Sequence, residues 1–260
     1  MKIAVCISGQ PRNVERGIKI LLHNVIDEFD VFVHAWWDSN SSKTLFTKSN
    51  AAKLNDVVSE PIDNTWIDML YKKYNVKKIN LESQVDFKVS ENLLKRKTRY
   101  SNAFNIHSGM YSIYKCNELK KQYELENNFK YDWVIRIRFD FGFDKLIKFN
   151  EYDNNCIYVP NDCEHNYGFN DQFAIGSSKN IDIYSDLYLK IDKVLNSYNN
   201  NIKTTNYCPT VDLVGHEQLL QQHLENNNLL YKITNFNNFL YRHNGKPDRE
   251  TGYEIHSIIK

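Results

Sequence analysis

The sequence predicts an α/β domain with a mixed, mainly parallel sheet flanked by helices, and three observations carry that expectation. The first 36 residues read as a β-turn-α-β unit. Their strand segments are nearly continuous apolar runs, the mark of strands covered on both faces. Strand-like and helix-like segments then follow one another along most of the chain.

Lys2-Ile-Ala-Val-Cys-Ile-Ser8 is the first apolar run, and Gly9-Gln10-Pro11-Arg12 breaks it. Val14, Ile18, Leu21, Leu22, Val25 and Ile26 then recur at helical spacing. Asp30-Val-Phe-Val-His-Ala-Trp36 is a second buried strand, so the unit makes a parallel, right-handed crossover. Residues 38–55 are polar and rich in Ser, Asn and Lys, which predicts a loop. A short helix is expected over Thr65–Tyr74 and a third strand over Val76–Asn80, while Lys88–Arg99 has no clear pattern. A long helix is expected over Ala103–Glu126, with Phe104, His107, Tyr111, Tyr114 and Glu118 on one stripe, followed by a strand over Asp132–Asp140. Later strands are expected at Cys156–Val159, Gln172–Ile175 and Leu229–Thr234, and helices at Ile181–Leu195 and Leu213–Leu224. No internal repeat or proline-rich linker divides the 260 residues, so one domain is expected over 1–260.

A formal net charge of +1 argues against a polyanionic partner, since nucleic-acid binding needs a concentrated cationic excess. Lys95-Arg-Lys-Thr-Arg99 is the one dense basic cluster; it suits a solvated surface or a phosphate or membrane contact. Cys6, Cys116, Cys156, Cys163 and Cys208 are scattered and lack CxxC spacing; Cys6 and Cys156 sit in apolar runs as small buried residues. A reducing compartment is the simpler inference. With no signal-peptide pattern and no apolar run approaching membrane length, a cytoplasmic protein is expected, with peripheral membrane contact left open.

The strongest local signal is Arg136-Ile-Arg-Phe-Asp140. Strand alternation places Trp133, Ile135, Ile137 and Phe139 on one side and Arg136, Arg138 and Asp140 on the other. Guanidiniums on so apolar a strand need anionic partners, either protein carboxylates in an internal network or a ligand phosphate. The second option puts Arg138 and Asp140 at the C-terminal end of the strand, where open α/β sheets bind ligands.

Four segments occur in order: Ile-Ser-Gly-Gln-Pro-Arg12, Phe-Asp-Val-Phe-Val-His-Ala-Trp36, Arg-Ile-Arg-Phe-Asp140 and Asn-Asp-Gln-Phe-Ala-Ile-Gly176. In that order and spacing, over about residues 1–225, the chain resembles a group of bacterial and viral GT-A-like glycosyltransferases of capsule, lipopolysaccharide and surface-glycan synthesis. The resemblance implies a GT-A-like (Rossmann-like) fold. It implies a nucleoside-diphosphate-sugar donor bound by about residues 1–145, and a glycan or lipid-linked acceptor faced by about 146–260. In GT-A enzymes an Asp-x-Asp element ends a central strand and holds a divalent cation, Mn²⁺ or Mg²⁺, on the donor diphosphate. Here that triplet is Arg138-Phe139-Asp140. Such hard cations take oxygen ligands, so Arg138 cannot bind one. Two readings remain: Asp140 binds the metal with water and phosphate oxygens, or Arg138 pairs directly with phosphate.

Ser8, Gly9 and Arg12 lie in the first turn, where the resemblance puts the nucleotide. Gly9 permits close backbone approach and Arg12 can reach a phosphate or base, although an ordinary strand-to-helix turn would look the same. The turn carries neither a dinucleotide fingerprint nor a P-loop. His34 and Trp36, with Phe32, share one face of the second strand and can line a nucleoside pocket, or His34 can be a satisfied core residue. Asp171 is the first candidate for the base that deprotonates an acceptor hydroxyl in an inverting transfer, against a turn-capping role. Glu217 is the second base candidate, against simple complementarity to a helix dipole. His243 is a further candidate for the diphosphate. The competing reading of the whole chain is a non-catalytic nucleotide- or carbohydrate-binding protein on the same fold, favoured by the broken Asp-x-Asp.

Overall fold

The computed structural model describes residues 1–38, 43–47, 57–61, 64–98, 103–160, 168–197, 213–234 and 236–241. The first unit forms as the apolar pattern dictates: β1 (Ile3–Gly9), α1 (Val14–Asn24) and β2 (Asp30–Trp36). A two-stranded antiparallel ladder follows, β3 (Lys43–Thr47) against β4 (Val57–Pro61). Next come α2 (Thr65–Lys73), β5 (Asn75–Glu82), the short α3 (Glu91–Leu94), the two-residue β6 (Lys97–Thr98) and α4 (Ala103–Glu126). The central strand β7 (Trp133–Ile137) leads to β8 (Phe141–Phe143), a 3-10 turn at Phe149–Glu151, β9 (Cys156–Val159) and β10 (Phe173–Gly176). The remainder is α5 (Ser178–Ser185), α6 (Leu187–Ser197), β11 (Leu213–Val214), α7 (His216–Asn226), β12 (Leu230–Ile233) and β13 (Asn238–Leu240).

Seven strands form the main sheet in the order β12-β9-β10-β7-β1-β2-β5. β1 pairs in parallel with β2 and β7, β2 with β5, and β12 with β9, while β10 runs antiparallel to both its neighbours. From β1 the chain steps outward through β2 to β5, then returns to β7 on the other side of β1. Right-handed crossovers in opposite directions put their helices on opposite faces. α1 and α2 therefore pack on one core with Val5, Ile7, Val31, Val33, Ile135 and Ile137. α4, α5, α6 and α7 pack on the other, with Ala4, Cys6, Phe32, Val134 and Ala174.

The mixed, mainly parallel α/β sheet is as expected, with local departures. The strand expected over 132–140 stops at Ile137, because the backbone turns at 138–140 and leaves to pair β8 with β13. Phe139 stays in the same core as Ile137, so apolar alternation runs on through the turn. The single helix expected over 181–195 is two helices meeting at Asp186, whose N–H reaches the carbonyls of both Asp182 and Ile183. Ile181, Tyr184, Leu187, Ile191 and Val194 are all buried in one core, so their spacing conceals the break. The helix expected from Leu213 starts at His216, after a two-residue pairing with β6. The segment read as loop over 38–55 contains β3. Cys6 and Cys156 are buried free thiols, as is Cys116; Cys163 and Cys208 lie outside the described residues. No helix among the described residues is long and apolar enough to cross a membrane.

Candidate functional site

The gap between β1 and β7 is the topological switch point of the sheet, because the chain leaves β1 in one direction and comes back on its other side. In open α/β sheets, ligands bind in the crevice outside the carboxyl ends of the strands at such a point. Three segments converge there: the turn after β1, the turn after β7, and the residues before β10, which its reversed direction brings to the same edge.

The turn after β1 starts at Gly9, whose φ of +123° is open to glycine and strained for other residues. The Arg12 guanidinium donates to the Gln10 side chain within this turn. Asn13 enters α1 in the left-handed region and its side-chain amide donates to the carbonyl of Tyr241 at 2.8 Å. The N–H of Tyr241 donates in turn to the carbonyl of Asp140, also at 2.8 Å. Tyr241, which is fully buried, thus ties the two turns together. Gly17 completes the junction: a Cβ there would overlap the main-chain oxygen of Phe139, so α1 lies directly on the second turn.

In that second turn Arg138 and Asp140 form a bidentate ion pair. Nε donates to Oδ1 at 2.9 Å and Nη2 to Oδ2 at 2.8 Å. The exposure is unequal, 25% for the Arg138 side chain and 1% for that of Asp140. Arg136 goes elsewhere. It stays within the strand, buried on the α5 side, and donates to the main-chain carbonyl of Asp171. Burial pulls its pKa down, while Tyr184 and Asp171 support the charge. The Tyr184 hydroxyl also donates to the Asp171 carbonyl, at 3.4 Å. Asp171 itself is half-buried in a turn closed by the N–H of Gln172 donating to the Asn170 side chain at 2.8 Å. The carbonyl of Gln172 accepts from the N–H of Arg138 at 3.2 Å, which joins this turn to β7.

Ser8 and His34 are register partners across β1 and β2, both buried and facing α4. The Ser8 hydroxyl has no hydrogen-bond partner among the described residues. His34 Nδ1 lies 2.8 Å from Ser112 Oγ and its Nε2 3.3 Å from Glu82 Oε2. Burial lowers the His34 pKa, against the weaker opposing pull of Glu82. Burial alone would raise the Glu82 pKa, yet hydrogen bonds from Asn80, His34 and Tyr111 bring it below the usual value. Burial and Glu82 push Tyr111 up to about 12. Trp36 stacks on Tyr111 at 5.4 Å and 17° between planes, and Phe87 meets both rings edge-on. A half-buried aromatic surface thus flanks the ends of β2 and β5, and the aromatic stripe of α4 belongs to it.

Ser8, Gly9, Arg12, Arg138, Asp140 and Asp171 therefore lie on segments that meet at one edge of the sheet, and His34 and Trp36 lie one strand further out. Glu217 sits in the first turn of α7, tied by its carbonyl to the N–H of Phe169 at 3.2 Å, two residues from Asp171. His243 lies outside the described residues. Sequence reasoning missed Glu82, Tyr111 and Tyr241. Glu82 had no legible signal, because it lies beyond the strand expected over Val76–Asn80 and only strand pairing sets it opposite Trp36. Tyr241 had none, because its role is made by main-chain groups.

The chain is similar to mouse xyloside xylosyltransferase 1 in its apo form, with 9% identity, 90% of this chain and 84% of that chain covered, and a TM-score of 0.44. No curated protein matches it. A family model does, over residues 1–197, and on that match the chain belongs to the family described as a domain of unknown function, DUF7796.

Proposed function

We propose that this protein is a glycosyltransferase that moves a sugar from a nucleoside-diphosphate sugar to a glycan or lipid-linked acceptor in surface-polysaccharide synthesis. The observation that carries the reading is the convergence at the β1–β7 switch point. One side of that edge offers an open turn at Gly9 and the cationic end of the Arg138–Asp140 pair. The other offers a carboxylate, Asp171, whose main chain is held by Arg136 and Tyr184. A diphosphate suits the first side and an acceptor hydroxyl the second.

In the proposed reaction the acceptor oxygen attacks the anomeric carbon and its proton passes to the Asp171 carboxylate. The bond from the anomeric carbon to the β-phosphate oxygen breaks, and the electron pair leaves with the diphosphate. Negative charge growing on that oxygen meets donors already in place. The half-buried Trp36/Tyr111 surface suits the nucleoside end of the donor.

The test is a panel of UDP-, GDP-, CDP- and dTDP-sugars, assayed for donor hydrolysis and for transfer to surface-glycan fragments. Turnover of one donor class by folded protein is the expected result. Binding of a nucleotide without turnover of any donor would favour a binding protein, and no binding at all would overturn the reading.

A further inference from the structure

The charge at the end of β7 is arranged against a metal. In GT-A enzymes a divalent cation sits on carboxylate oxygens at this strand end. Here both oxygens of Asp140 are taken by the fork of Arg138, in two charge-assisted bonds of ordinary length. The Asp140 side chain is 1% exposed and the Arg138 side chain 25%, so the anionic partner of the pair is buried and the cationic partner is the more accessible one. A cation reaching Asp140 would have to displace the fork and then lie beside a permanent positive charge. Among the described residues the surrounding donors do not offset this. Position 138 is itself the arginine, and no group of three or more His, Cys, Asp or Glu among the described residues is arranged to hold a metal.

We infer that Arg138, held in orientation by Asp140, takes the place of the divalent cation, and that this protein binds a nucleoside diphosphate without metal. The inference rests on the proposed function and narrows it. The guanidinium carries five donors in a fixed plane, and the pair with Asp140 uses two of them. Anchoring one edge of the plane on a buried carboxylate fixes the direction of the rest, which a lone surface arginine would lose to side-chain freedom. Two features lock the anchor. The Asp140 carbonyl is held by the Tyr241 N–H, and Gly17 lets α1 press on the turn between the two residues. Asp140 is thus a positioning residue, and Arg138 the group that meets phosphate.

Calorimetric titration of UDP, GDP, CDP and dTDP into the full chain tests this, once in EDTA and once in Mn²⁺. The expected result is one nucleotide whose Kd agrees within twofold between the two conditions. Arg138→Ala, checked by circular dichroism for an intact fold, should weaken that nucleotide at least tenfold in both. Arg138→Asp puts a second carboxylate beside Asp140 and should bind the nucleotide more tightly in Mn²⁺ than in EDTA. A wild-type affinity that drops tenfold or more on chelation overturns the inference and leaves the proposed function standing. So does wild-type-like binding by folded Arg138→Ala. Failure of every nucleotide in both conditions overturns the proposed function, and the inference with it.

Discussion

The Nδ1 of His34 stands 2.8 Å from the hydroxyl oxygen of Ser112, so the end of β2 is fastened to the middle of α4 through a fully buried ring. Burial depresses the pKa of the ring, with Lys115 acting the same way, and this outweighs the opposing pull of Glu82. His223, buried under α5 with its Nε2 2.7 Å from the Ile183 carbonyl, is depressed for the same reason. A group with a lowered folded pKa binds fewer protons folded than unfolded. Stability is therefore complete above the unfolded value of about 6.5 and falls as pH drops below it, at up to ~1.4 kcal/mol per pH unit for each histidine. Urea unfolding at pH 7.5 and 5.5 should show a lower midpoint at 5.5, with part of the difference removed in His34→Gln. Equal midpoints at the two pH values would contradict this.

Asp140→Asn should leave the fold intact and reduce kcat/KM about 100-fold, a loss of roughly 2.7 kcal/mol of transition-state stabilisation. An amide offers one acceptor to a fork that now has two, so Arg138 loses its fixed direction. Steady-state kinetics on a responsive donor decides it, and near-normal turnover in folded Asp140→Asn removes the residue from the mechanism.

Asp171→Asn separates the two sides of the crevice. The residue follows Asn170 in a turn of the second half and is proposed to touch the acceptor. Transfer should be nearly abolished while nucleoside-diphosphate affinity stays within about threefold. Loss of both together would move Asp171 to the donor side or into the scaffold. Unimpaired transfer would hand the proton to Glu217 or indicate a retaining reaction.

Gly17→Ala tests the seam between α1 and the 138–140 turn. In an ordinary helix the change would help by up to ~1 kcal/mol. Here the added methyl meets the main-chain oxygen of Phe139, which cannot swing aside as a side-chain tip would. A net destabilisation of roughly 1–3 kcal/mol is expected, as for other overpacked contacts. Differential scanning calorimetry should record a lower Tm, and an unchanged or raised Tm would show that the helix and turn are not in contact.

How much of this was readable in advance depended on whether the controlling interaction lay within one segment. β1, β2 and β9 were legible because strands covered on both faces are apolar throughout, and α4 because it is long. β8 and β13 were not, since three-residue strands carry no period and their pairing joins Phe141 to Leu240 across a hundred residues of chain. Alternation correctly put Arg138 and Asp140 within reach of each other. It also put Arg136 with them, and there the backbone decided otherwise. The strand ends at Ile137, so Arg136 remains under α5 while its neighbours leave with the turn. The carboxylate that faces His34 was invisible because a lone Glu at a strand end looks like any solvated residue, until pairing places Glu82 opposite Trp36.

The placement of β1 between β2 and β7 also sets an order of events during synthesis. Ile3 is paired to Trp133, so one edge of the first strand leaves the ribosome 130 residues before the strand that covers it. At translation speeds of about 5–20 residues per second, that edge stays unpaired for roughly 7–26 s, with Ala4, Val5 and Cys6 all apolar along it. Pairing with β2 and packing of α1 can come early, but the β1–β7 seam cannot close until residue 137 has emerged. The crevice at that seam is therefore assembled only after β7 is made, and the nascent chain carries an open, sticky strand edge throughout the synthesis of the residues between β1 and β7.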